Sequence, residues 1–169
     1  AWNWKAGGTA PEITYAVKVV SDSGNKFRFD DFGSSAVTLD LQEGGVYTFD
    51  QSDSSNSGHP LRFSTTSDGT HGGGSAYTTG VVVSGTPGSS GAKTVITVAG
   101  SAPTLYYYCA NHSGMGGQAN TNSTFGSSNF AGSIQSTVSA NTIAGVSVVK
   151  WDGNGVAGAS IGHGLGDVA

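Results

Sequence analysis

The stretch 105–117, LYYYCANHSGMGG, holds the only cysteine and the only methionine of the chain, with a histidine between them. In an extended run that ends at Cys109, alternate side chains share a face, so Leu105, Tyr107 and Cys109 point one way and the thiol projects from a strand end. The spacing C-x-x-H-x-x-M then lets a Gly-rich loop curl until the Cys109 thiolate, the His112 imidazole and the Met115 thioether meet at one point. A further imidazole must come from elsewhere. His59 in SGHPLRF is the candidate, because it stands where a polar loop enters a strand and Pro60 fixes the backbone just beyond it. Two imidazoles, a thiolate and a distant thioether make the trigonal set with a weak axial methionine that suits copper in either oxidation state. Zinc competes for two histidines and a cysteine, but a thioether serves it poorly. The blander reading makes Cys109 a small buried hydrophobe and Met115 a gap-filler, with the histidines nearby by chance. Four suitable donors gathered around one strand end favour copper.

Other residues with chemical potential read as structural. His71 in THGGGS is expected to be solvated, near the same rim, and His163 in GHGLG to be a turn or strand residue. Trp2 and Trp4 fit an N-terminal strand that packs two indoles. Asn111 and Asn122 open N-x-S/T triplets, which arise often in a Ser/Thr-rich chain. Asp30, Asp31, Asp50 and Asp53 read as strand-edge and turn carboxylates. No nucleophile, base and orienter stand together, and a single copper with four protein ligands leaves no open position for a substrate. No enzyme is expected.

These donors need a rigid frame, and the composition says which. The 169 residues include 28 glycines and only 11% charged side chains. Glycine at this density penalises helix interiors by up to ~1 kcal/mol each, so an all-β chain with many turns is expected. Short runs of alternating apolar and polar residues predict strands at 13–20, 26–32, 37–41, 45–50, 60–65, 80–83, 93–98 and 104–109. Without helical crossovers they should form a Greek-key antiparallel β-sandwich over 13–117, after an N-terminal flank at 1–12. The polar segment 118–131 reads as a linker. Further strands are predicted at 132–140, 145–151 and 159–165 in a glycine-rich extension over 132–169. Three such strands are too few to stand alone, so they should pack on the sandwich, on another copy, or on residues outside this chain. A net charge of −4 with scattered cations argues against nucleic acid as a partner. No apolar run is long enough to span a bilayer. The chain opens on Ala1, which raises the expectation of a processed product or a piece of a longer protein.

A histidine at a strand start, paired with YYYC-x-x-H-x-x-M at the end of the domain, resembles the cupredoxins, the blue-copper electron-transfer proteins, over 13–117. The resemblance implies His59, Cys109 and His112 as strong copper ligands and Met115 as the axial one. The two residues between His112 and Met115 make a shorter loop than many members of that family have. A second resemblance lies in the flanks. AWNWKAGG and GSIQSTVSANTIAGVSVVKWDGNGVAGASIGHGLG look like glycine-rich repeats of tail-fibre and other virion structural proteins of marine bacteriophages, cyanophages especially, among which inserted cupredoxin-like units are familiar. That likeness implies a structural or attachment module of a virion appendage or extracellular filament, a homo-oligomer and a host-surface receptor. A soluble electron carrier, secreted or periplasmic, is the alternative.

Overall fold

A computed structural model describes residues 10–122 and 125–166 of the chain. Among the described residues the regular elements are strands, apart from two short 3-10 turns, and no helix there is long and apolar enough to cross a membrane. The first sheet contains β1 (Glu12–Ser21), β2 (Asn25–Phe29), β4 (Val46–Asp50), β6 (Val81–Ser84) and β7 (Lys93–Thr97), in the order β2-β1-β4-β7-β6. The second contains β3 (Leu39–Gln42), β5 (Leu61–Ser64), β8 (Leu105–Cys109) and β9 (Gly117–Asn122), in the order β3-β9-β8-β5. Period-two patterning makes each sheet half-buried. Phe27, Phe29, Tyr47 and Phe49 point inward from the first sheet, and Leu39, Leu41, Leu61, Phe63, Leu105 and Tyr107 from the second. Each such side chain contributes roughly 1.5–3 kcal/mol on burial. Across the sandwich, Phe29 meets Tyr107 edge-on at 5.2 Å and Phe49 meets Phe63 at 5.4 Å.

The all-β sandwich expected from the sequence is the one that forms, with a difference in strand direction. β1 pairs with β4 in parallel, and β3 pairs with β9 in parallel. A parallel pair needs a long crossover. Here β2 and β3 supply one between β1 and β4, so strands do the work of a helix.

Residues 118–131, read as a linker, contain most of β9 and all of β10 (Ser127–Asn129). β9 lies between β3 and β8 even though its sequence is polar. Its polar side chains find partners: Gln118 donates to Asn120 at 2.6 Å, Asn120 donates to Asp40 at 2.9 Å, and the Thr121 hydroxyl donates to the Ala102 carbonyl at 2.6 Å. A satisfied polar strand can occupy a sheet interior.

β10 opens a three-stranded sheet with β11 (Ser136–Asn141) and β12 (Val146–Trp151), in the order β10-β11-β12. Of the three kinds of partner open to this extension, its own sandwich supplies one. The Tyr15 hydroxyl donates to the Ser128 carbonyl at 2.7 Å, Tyr47 and Ser127 share a hydroxyl hydrogen bond of 2.5 Å, and Ser128 accepts from the Asp40 amide at 2.8 Å. The Phe130 ring packs against Phe32 at 5.3 Å and Tyr15 at 5.5 Å. The strand predicted at 159–165 does not form. Gly164 takes φ +70° there, which interrupts an extended run. The segment is anchored instead by the Ser160 carbonyl, which accepts from the amides of Ser133 and Ile134 at 3.0 and 3.1 Å. Trp2 and Trp4 lie outside the described residues, as does the rest of the triplet that begins at Asn122.

Candidate metal centre

Strand register brings the donors together. β5 and β8 run antiparallel with Leu61 opposite Cys109. The pairing continues past the strand ends, where the Ala110 amide donates to the Pro60 carbonyl at 2.9 Å. Carried one residue further, the same register sets His59 opposite Asn111, next to His112. Asn111 closes the junction by donating from its side chain to the Gly58 carbonyl at 2.9 Å. Its amide is thus a tie between two loops.

His59 Nδ1 lies 3.8 Å from Cys109 Sγ, and His112 Nδ1 lies 3.6 Å from the same sulfur. The two imidazole rings are 4.6 Å apart between centroids. One donor atom from each of the three residues falls within 4.8 Å of the others, so His59, Cys109 and His112 form a group that could hold a metal ion. An ion about 2.0 Å from nitrogen and 2.3 Å from sulfur holds those atoms roughly 3.5–3.8 Å apart at angles from tetrahedral to trigonal. Both observed separations fit that range. A neutral thiol has one proton and can donate to only one imidazole, whereas an ion engages both at once.

The electrostatics suit a ligand set. Burial, and then the neighbouring His112, push the His59 imidazole below its usual range, which favours the neutral form that a metal ion requires. Burial pushes the Cys109 thiol up, while backbone amides of Asn111 and His112 act in the opposite direction. A bound cation would supply the charge that a buried thiolate otherwise lacks. Access is uneven: Cys109 is fully buried, His59 is half-buried, and His112 is exposed.

Met115 is buried in the same core cluster as Cys109. Its carbonyl accepts from the Phe27 amide at 3.0 Å, which ties the loop to β2. One residue earlier, the Gly114 amide donates to the Asp68 carboxylate at 2.9 Å, and its carbonyl accepts from the Lys26 ammonium. Gly116 lies so close to the Tyr107 carbonyl that any Cβ there would collide with it. The loop between His112 and β9 is therefore held from both sides.

Several supporting residues were not singled out from the sequence. Gln51 and Asn56 are both buried although they lie in the polar run between β4 and β5. Gln51 donates to the His59 carbonyl at 2.8 Å and accepts from the Leu61 amide at 3.0 Å, which clamps both sides of Pro60. Asn56 donates to the Val17 carbonyl at 2.7 Å and accepts, through its own carbonyl, from the His59 amide at 2.8 Å. His71 is exposed as expected, yet its Nε2 lies 3.0 Å from the Cys109 carbonyl and its ring meets Tyr108 edge-on. No periodicity signals such residues, since a polar side chain in a polar run looks the same whether it faces water or a buried carbonyl. His163 is a turn residue whose Nδ1 accepts from the Leu165 amide at 3.0 Å. The four aspartates also serve structure: Asp30 accepts from the Ala16 amide, Asp31 pairs with Lys18 and Arg28, and Asp50 and Asp53 hold turns.

Residues 116–169 match a family described as a domain of unknown function, DUF7483. The match covers less than half of the chain. It begins just after Met115, so it takes in β9 to β12 and none of the four candidate donors. No curated protein and no solved structure matches the chain.

Proposed function

We propose that the chain is a structural β module in which a mononuclear copper ion cross-links two loops, held by His59, Cys109 and His112 with Met115 as a weak fourth ligand. The observation that carries this reading is the approach of two imidazole nitrogens to one buried sulfur. A soft thiolate with two imidazoles favours copper among the biological metals, and a thioether nearby favours it over zinc. The rim supports a staple. Asn111, Ser113 and Gly114 around His112 are exposed and small or polar, and none of the large exposed apolar side chains among the described residues lies in either ligand loop. The likeness of the flanks to phage fibre proteins extends the proposal to a virion appendage or extracellular filament, built from copies of this chain and directed at a host surface.

Copper binding that favours the folded chain adds its free energy to stability, about 2.7 kcal/mol at a hundredfold excess over Kd. For a chain of this size that raises Tm by roughly 5–10 °C. Titration with Cu(II) is expected to produce an intense visible thiolate-to-copper absorption together with this rise, and Cys109→Ser to remove both. If neither colour nor Tm responds, the copper assignment is wrong and only the scaffold remains.

The exposed edge of His112 favours one other reading, a soluble electron carrier. A carrier would give a fast, reversible voltammetric wave, whereas a staple gives a slow or absent one; the Tm rise follows from copper affinity in either case.

A further inference from the structure

Just beyond β12 the chain runs Asp152-Gly153-Asn154-Gly155, and every residue from 152 to 158 is exposed. Asn154 is the only asparagine in the chain that a glycine follows. That neighbour matters because the backbone nitrogen of the next residue can attack an asparagine side chain, and glycine has no Cβ to crowd that nitrogen. A Cβ placed on Gly153 or on Gly155 would meet nothing within 4 Å, so the turn has room to change shape.

Each group that takes part in such an attack is in a favourable state. The Val156 amide donates to Asn154 Oδ1 at 3.0 Å, at the oxygen where negative charge gathers when the side-chain carbonyl is attacked. The Asn154 side-chain nitrogen, which must leave, and the Gly155 amide, which must attack, have no hydrogen-bond partner among the described residues. Elsewhere the same chemistry is blocked. Asn56, followed by Ser57, is buried, and its side-chain nitrogen donates to the Val17 carbonyl at 2.7 Å. Asp68 has its carboxylate tied to the Gly114 amide, and the Gly69 that follows it is buried against the Tyr108 ring. Asp152 shares the open turn, but a carboxylate is a far poorer electrophile than an amide.

We propose that Asn154 is a site of spontaneous modification, at which the folded chain converts its own asparagine to aspartate and isoaspartate. Base removes the Gly155 amide proton, and that nitrogen forms a bond to Asn154 Cγ. The Cγ–Nδ2 bond then breaks, and Nδ2 takes a proton from water and leaves as ammonia. The closed ring is a succinimide. Water adds to either of its carbonyls and opens it, which gives aspartate, or isoaspartate with the backbone rerouted through Cγ. The net change is one water consumed and one ammonia released, with no oxidant or metal required. Each conversion adds one negative charge to a chain whose net charge is −4. The charge arrives just past β12, an outer strand of its sheet, and charge beside an open edge opposes pairing between chains.

The test incubates the whole chain in neutral buffer at physiological temperature, follows the mass of the fragment that carries residues 151–158, and labels isoaspartate with an isoaspartyl carboxyl methyltransferase. A synthetic peptide of the same residues is the comparator. The whole chain is expected to convert Asn154 before any other asparagine, and at no less than about a third of the peptide's rate. The rate should rise with hydroxide concentration, and a more acidic species should grow on ion exchange. Gly155→Ala should slow the conversion at least about tenfold, and Asn154→Gln should abolish it. Both positions are exposed in a turn, so the variants are expected to stay folded, which their melting curves check. Cys109→Ser should convert like the parent, so a failed copper assignment leaves this test intact. The proposal is overturned if Asn154 in the whole chain reacts more slowly than about a third of the peptide's rate, because the folded turn then protects it. It is also overturned if another asparagine converts first, or if Gly155→Ala converts as the parent does.

Discussion

Among single side chains, Gln51 bridges the His59 carbonyl and the Leu61 amide, so it holds the backbone on both sides of a candidate ligand without touching an ion itself. Replacing it with alanine leaves two buried backbone groups without their partners, at about 1–3 kcal/mol. Gln51→Ala is therefore expected to lower the urea midpoint and to weaken Cu(II) binding, whereas a purely distant stability effect would leave the copper affinity of the folded protein unchanged. Asp31 shows a different control. Hydrogen bonding from Lys18, then from Arg28, holds its carboxyl below the usual range. A depressed carboxylate contributes stability that is present above the unfolded pKa of about 3.9 and is lost as pH falls through the folded value. The stability difference between the parent and Asp31→Asn should thus be steady near neutral pH and vanish in acid. Urea midpoints taken from about pH 5 to pH 2 check this, and a difference that grows in acid would contradict it. Asp31 is exposed, so the effect is small.

At the level of elements, the loop between β8 and β9 depends on close backbone approach. A methyl group at position 116 would run into the Tyr107 carbonyl and the Tyr108 backbone, which cannot give way without disturbing β8. Gly116→Ala is expected to cost about 1–3 kcal/mol, as overpacked sites do. It should also broaden or shift the copper absorption, because Cys109 ends that strand. The C-terminal sheet depends on Phe130, whose ring packs against Tyr15, Phe29 and Phe32. Phe130→Ala should cost roughly 3–5 kcal/mol and release β10 to β12 to amide exchange before the sandwich. Simultaneous exchange of both layers would show instead that the sheet is integral to the sandwich. Strand positions were legible in the sequence wherever bulky apolar residues alternate, as in VYTFD of β4, whose Tyr47 and Phe49 are buried. β9 was missed because, among its described side chains, only Ala119 packs in the core, and further support comes from Asp40 and Ala102, distant in the chain.

At the level of the whole molecule, the extension docks on its own sandwich, so it does not need a neighbouring chain for support. The proposed homo-oligomer would instead have to form along the outer edge of β12, where Val146 and Val148 are exposed, with Ile143 and Val156 exposed in the flanking turns. An open strand edge flanked by apolar residues invites pairing between copies. Sedimentation at micromolar concentration is expected to show an oligomer, and a Lys substitution at Val148 to shift it toward monomer. A folded monomer of the parent chain at that concentration would count against the homo-oligomer.

What the sequence determined by itself is the inventory: an all-β chain from its glycine and alternation, three candidate metal donors from the spacing around one cysteine, and a fourth candidate, His59, from its place where a polar loop enters a strand. Those are properties of residue type and local period, which need no knowledge of distant contacts. The tertiary structure alone decided that β5 and β8 align so that His59 arrives beside His112, that Gln51 and Asn56 turn inward, and that a polar segment becomes a central strand. Each of these depends on a partner tens of residues away, and hydrogen-bond satisfaction between remote groups leaves no periodic trace in the chain.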